Sequence, residues 1–237
     1  MIKTFKDFFY FIINPSLQNI QIKASWGALF KKLSYLLILT IVFNGLIIVM
    51  RAVLINKGVI PPLFFKNKGY SADFWIFPLT VLFISPVIEE LGFRLFFIPK
   101  RINIAVSLSL LLYFLAYLVL SFKLFGLNIY LIIPLTSFII LVLVTSKISV
   151  LKSINKFIIK YLKPIFYIST VFYVYVHIDN FLLENKHIVW LPFIFLPYLM
   201  LGLELGYIRI SCGIKYSILF HIVYNIFPFL LSLAFLR

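Results

Sequence analysis

Acidic residues are scarce. Seven Asp and Glu stand against 22 Lys and Arg in 237 residues, and charged residues make up only 12% of the chain. A soluble domain carries about 25% charge, so this chain has too little polar surface to cover a globule in water. Cysteine occurs once, at Cys212, which excludes an intramolecular disulfide. No HExxH occurs, so the helical zinc-protease signature is missing. There is no internal repeat and no low-complexity tract. That argues for one domain and against the matching halves of many transporters. The N-terminus also lacks an uninterrupted apolar core with a small-residue cleavage site, so no secretory signal is expected.

What is abundant is apolar side chain, 63% of residues, with a mean hydropathy of +1.10. A helix needs roughly 20 apolar residues to cross the hydrocarbon of a bilayer. Seven runs approach that length: Leu33–Met50, Phe74–Ile98, Ile104–Leu120, Asn128–Thr145, Pro164–Leu183, Ile188–Ile208 and Ile214–Leu236. The expected fold is all-α, a polytopic membrane bundle of about seven transmembrane helices. Residues 1–32 read as an amphipathic segment along the interface, and 33–237 as the transmembrane domain. A polar link with Lys57, Gly58, Pro61 and Pro62, then KNKGYSAD at 66–73, separates the first two runs.

The net charge of +15 would suggest nucleic acid in a soluble protein. Here the cations fall between apolar runs and meet lipid headgroups instead, so no nucleic-acid partner is expected. Five lysines occupy 147–163, and Lys152, Lys156 and Lys160 repeat at four-residue spacing. This stretch is either a helix on the headgroup surface or a solvated loop that enforces topology. With the N-terminus inside, fourteen cations lie on the cytoplasmic side and seven on the other. The positive-inside rule favours that orientation. The lipid bilayer, as a cytoplasmic membrane, is the expected location.

Ionisable side chains at bilayer depth cost about 2.5–3.5 kcal/mol each on insertion scales. Even so, Glu89, Glu90, Arg94, His177, Asp179, Glu204 and His221 all sit in apolar runs. A functional intramembrane site is the default reading. Glu90 and Arg94 are four apart and stack on one helical face as an ion pair, acid first. Glu89 points about 100° away, free for chemistry. His221 and Asn225 are likewise four apart, a donor pair suited to a developing oxyanion. Tyr173 and His177 repeat that spacing.

Together these motifs, EELGFR at 89–94, Tyr173 with His177, and HIVYN at 221–225, resemble the signatures of one family. It is the CPBP intramembrane protease family, also called the CAAX-protease and bacteriocin-processing (Abi) family. The likeness covers about residues 74–230. It implies peptide-bond hydrolysis by a glutamate-activated water in a chamber within the membrane. Glu89 would be the general base working with His177, His221 and Asn225 the oxyanion hole, and Glu90 and Arg94 the stabilisers of the motif helix. The expected substrate is a membrane-associated peptide or protein, in a bacterial cell. Tyr173 departs from the family's usual Phe, Glu204 from an apolar residue, and Lys215 from a small or apolar one. Two His and two Glu also supply zinc ligands, but a glutamate-activated water needs no metal, so no cofactor is expected. A non-catalytic immunity factor and a proton-coupled transporter are the alternatives.

Overall fold

The computed structural model describes residues 1–17, 25–62, 64–65, 76–120, 129–182 and 184–235. Side chains are described for these except 64, 65, 76, 77, 117–120, 129–131, 179, 180 and 231–235. The 66–73 link, Lys23, Lys123 and the side chain of Asp179 therefore lie outside the described residues.

The chain is almost wholly helical. Helix α1 (Ile2–Ile13) is followed by α2 (Trp26–Asn56), whose first turn is capped by the Ser25 hydroxyl accepting from the Ala28 N–H. At about 1.5 Å per residue, the 31 residues of α2 exceed the hydrocarbon thickness of about 30 Å. One face of α2, with Leu29, Leu36, Thr40, Asn44 and Ile47, is buried. Around the rest, Ile38, Val42, Leu46, Ile48 and Val49 are each more than half exposed. In water such a continuous apolar surface would drive aggregation, whereas it suits a lipid environment.

The second apolar run is not a continuous α-helix. It comprises a short α3 (Ile76–Leu79), a π-helical stretch (Thr80–Ile84), α4 (Ser85–Arg94) and a 3₁₀ turn (Leu95–Phe97). Helices α5 (Arg101–Leu120) and α6 (Ile129–Val144) pack together and lead to α7 (Ile148–Lys160). Helix α8 (Leu162–Val176) ends one residue before His177, which opens a 3₁₀ turn. A two-residue strand β2 (Phe181–Leu182) then pairs antiparallel with β1 (Phe64–Phe65). A second 3₁₀ turn (Asn185–Trp190), α9 (Leu191–Ser211) and α10 (Ile214–Phe235) complete the fold.

By length and composition, Trp26–Asn56 and Asn185–Ser211 are apolar and long enough to cross a membrane. The bent pair α6 and α7 brings the number to three if it counts as one span. Helix α8 and the described parts of α5 (Arg101–Ala116) and α10 (Ile214–Leu230) are apolar but shorter. This is an all-α protein with two helices long and apolar enough to span a membrane, or three if the bent pair is one span.

Helix α9 is the axis of the bundle, in contact with α1, α2, α8 and α10. Its Gly202 and Gly206 stand four apart and let α8 approach closely, as small-xxx-small faces do in membranes. A Cβ at Gly202 would meet Thr170 at 3.0 Å and Tyr173 at 3.1 Å, and one at Gly206 would overlap the Phe166 ring. The N-terminal segment packs onto the bundle. Phe8 and Phe11 of α1 are fully buried against Tyr207 and Phe166, and Tyr167 of α8 donates to the Ile12 carbonyl. The first long helix also starts at Trp26 rather than Leu33.

Candidate functional site

Helix α4 carries the two acids. Arg94 Nη1 lies 2.6 Å from Glu90 Oε1, and both side chains are essentially inaccessible. Glu90 has further partners on α10: the Ser217 hydroxyl bonds its Oε2, and His221 Nδ1 is 3.2 Å from its Oε1. Since a carboxylate paired with Arg94 only accepts, the proton of the His221 ring belongs on Nδ1. Nε2 then faces the other way. His177 follows the same logic, because its Nδ1 lies 2.8 Å from the Tyr173 carbonyl, which also only accepts.

Both free Nε2 atoms face Glu89. Each is 3.8 Å from Glu89 Oε2, too far for a direct hydrogen bond and within the reach of one bridging water. Glu89 Oε1 accepts from Ser85, one turn earlier on α4, whereas the buried Oε2 has no hydrogen-bond partner in the protein. Glu89, Glu90, Arg94, His177 and His221 are thus brought into one buried cluster. The Tyr173 ring closes one side of it, 4.5 Å from Arg94 Cζ and 4.6 Å from the His177 ring. Its buried hydroxyl also lacks a partner. Tyr198 of α9 also packs against His177, with ring centroids 4.7 Å apart.

One expected member, Asn225, and the further acid Glu204 stand apart. Asn225 Nδ2 donates to the Val81 carbonyl in the π-helical stretch, at 3.1 Å, rather than to the acids or histidines. Glu204 turns toward α2, where the Thr40 hydroxyl donates to it. Next to it, Asn44 donates to the Tyr224 hydroxyl at 2.6 Å. The third histidine, His187, holds a turn: Nδ1 accepts from the Glu184 N–H, and Nε2 lies 3.1 Å from the Pro62 carbonyl.

The end of α4 rests on residues that sequence reasoning does not single out. Four successive carbonyls at a helix C-terminus have no intrahelical donor, and where the helix end is buried no water serves them. Here Ser107 of α5 donates to Gly92 O, and Ser169 of α8 donates to Phe93 O at 2.6 Å. Arg209 of α9 donates to Arg94 O and Leu95 O, each at 3.1 Å. Three helices therefore clamp the segment that carries the acids. Arg209 is a second buried cation beside Arg94, although its place near a helix end suggests a loop charge. Ser85 and Ser217 precede Glu89 and His221 by four residues, a spacing that marks them as same-face neighbours.

Zinc binds each nitrogen or oxygen ligand at about 2.0–2.2 Å. Among the described residues no group of three or more His, Cys, Asp and Glu is arranged to hold a metal ion. The arrangement is instead a carboxylate and two imidazole nitrogens around one small polar volume, with an ion pair behind it. No family model matches the chain. Neither a curated protein nor a solved structure matches it.

Proposed function

We propose that this chain is an intramembrane endopeptidase that hydrolyses a peptide bond of a membrane-associated peptide or protein with a glutamate-activated water. The observation that carries the reading is the equal spacing of Glu89 Oε2 from the Nε2 atoms of His177 and His221, 3.8 Å in each case. A water held at Oε2 meets a base and an oriented imidazole at once, the geometry general-base catalysis requires. The order of motifs supports it, because EELGFR, then His177, then HIVYN resembles the CPBP proteases.

In this reading Glu89 takes a proton from the water as its oxygen attacks the carbonyl carbon. His177 positions that water. The resemblance assigns the tetrahedral oxyanion to His221 and Asn225, but here Asn225 donates to the Val81 carbonyl and a ring proton on Nδ1 leaves His221 Nε2 an acceptor. His221 therefore holds the water together with His177, and the proton passes from Glu89 to the leaving amine as the C–N bond breaks. Glu90, in contact with Arg94 and His221 Nδ1, fixes the His221 tautomer and ring direction, much as a carboxylate does behind a catalytic imidazole. No metal takes part. The apolar helices make about seven crossings around an intramembrane chamber, with the N-terminus in the cytoplasm of a bacterial cell, following the bias of cations.

The test compares membrane peptides, by mass spectrometry, from cells expressing the wild-type protein and the Glu89→Gln variant. A peptide pair joined at one bond, cleaved only in the wild type, is expected. Identical peptide sets at equal expression would refute the peptidase reading and favour a non-catalytic immunity protein.

A further inference from the structure

The end of α6 and helix α7 form a feature that the proposed chemistry leaves unused. The two helices are bent by 106° across the break at 145–147. With α6 as one of the crossings proposed above, α7 leaves it at nearly a right angle and runs along the membrane plane. Its 13 residues cover about 20 Å of that plane.

The faces of α7 differ sharply. Leu151, Ile154 and Ile158 turn inward onto the core. Lys152, Lys156 and Lys160 are all exposed, on one outward stripe, with Lys147 and Lys163 exposed at the two ends. At about 100° per residue, Ile148 and Ile159 fall on one border of the stripe and Phe157 on the other. All three are more than half exposed. A water-facing stripe has no need of these apolar neighbours, whereas an interfacial helix uses them to dip about 5–10 Å toward the acyl chains. The long lysine stems allow their ammonium groups to stay at headgroup level.

Charge selects the headgroup. From residue 91 to residue 178 the chain holds no Asp or Glu, so no acid on α5 through α8 neutralises the lysines. We propose that the lysine stripe of α7 is a docking surface for anionic phospholipid headgroups, with Ile148, Phe157 and Ile159 seated among the adjoining acyl chains. The proposal is independent of the peptidase reading.

The test uses the full-length protein in mild detergent with defined phosphatidylglycerol or phosphatidylcholine, counting retained lipids by native mass spectrometry. The wild type is expected to retain phosphatidylglycerol in preference. The Lys152→Gln/Lys156→Gln/Lys160→Gln variant should lose that preference by roughly tenfold or more, and the matching triple Arg variant should keep it. Lys57→Gln, in a different loop, should change nothing. Should the Gln variant fail to fold, the wild-type preference must still weaken in 1 M salt, at a Debye length of about 3 Å. No preference in the wild type, or an unchanged preference in the folded Gln variant or at high salt, overturns the proposal. Displacement of the lipid by soluble polyglutamate at equal charge would also overturn it, by making an acidic protein segment the occupant.

Discussion

His221 turns its Nδ1 toward Glu90, 3.2 Å from Oε1, so the acid paired with Arg94 also sets the direction of the imidazole that faces Glu89. The neighbouring carboxylates of α4 therefore do different work. Glu90 is enclosed by Arg94, Ser217 and His221, while Glu89 keeps one oxygen clear of protein donors.

That division predicts opposite effects for two near-identical substitutions. Glu90→Gln leaves Arg94 buried without its charge partner, a loss of about 3–5 kcal/mol. It should lower both thermal stability in detergent and activity. Glu89→Gln keeps an acceptor for Ser85 and should leave the melting temperature unchanged while abolishing cleavage. Equal destabilisation by both would refute this assignment.

Arg209 donates to two carbonyls at the end of α4. Arg209→Met keeps a long apolar stem but removes both donors, and each carbonyl left buried costs about 1–3 kcal/mol. Stability should fall, and activity should fall with it as α4 loosens. Arg209→Lys restores the charge but not the fork and should recover only part. A Met variant that melts with the wild type would show that α4 does not depend on this clamp.

Gly206 faces Phe166 so closely that any Cβ overlaps the ring. Gly206→Ala should therefore destabilise by about 1–3 kcal/mol, the usual cost of overpacking. Phe166→Leu in the same chain should recover part of that loss. Gly45→Ala on α2, where a Cβ meets nothing within 4 Å, is the control and should be neutral or slightly stabilising. If Gly206→Ala and Gly45→Ala melt alike, α8 and α9 do not pack through the glycines.

Metal removal tests the proposed chemistry. Purified enzyme stripped of divalent ions should cleave its substrate at the same rate, and 1,10-phenanthroline should have no effect. Loss of activity restored by added zinc, with stoichiometric metal in the active preparation, would turn Glu89, His177 and His221 into ligands and remove the base from the mechanism.

The sequence by itself determined the apolar character of this protein and the local pairs. With 12% charge and long apolar runs, α2 is long and apolar enough to cross a membrane. Helix geometry is local, so residues four apart share a face wherever the helix packs. The Glu90–Arg94 bond follows from that rule, and the orientation of Glu89 away from it follows as well. The same locality explains what the sequence left open. Which helix meets which depends on side-chain fit along whole faces, such as Gly202 and Gly206 against α8. Only that packing turned Glu204 toward Thr40, tied Asn225 to Val81 and set Ser217 against Glu90. It also ended α8 at Val176, so that His177 sits in a tighter turn. Arg209 reached α4 the same way: buried backbone carbonyls require donors, and tertiary structure alone decided which residues supply them.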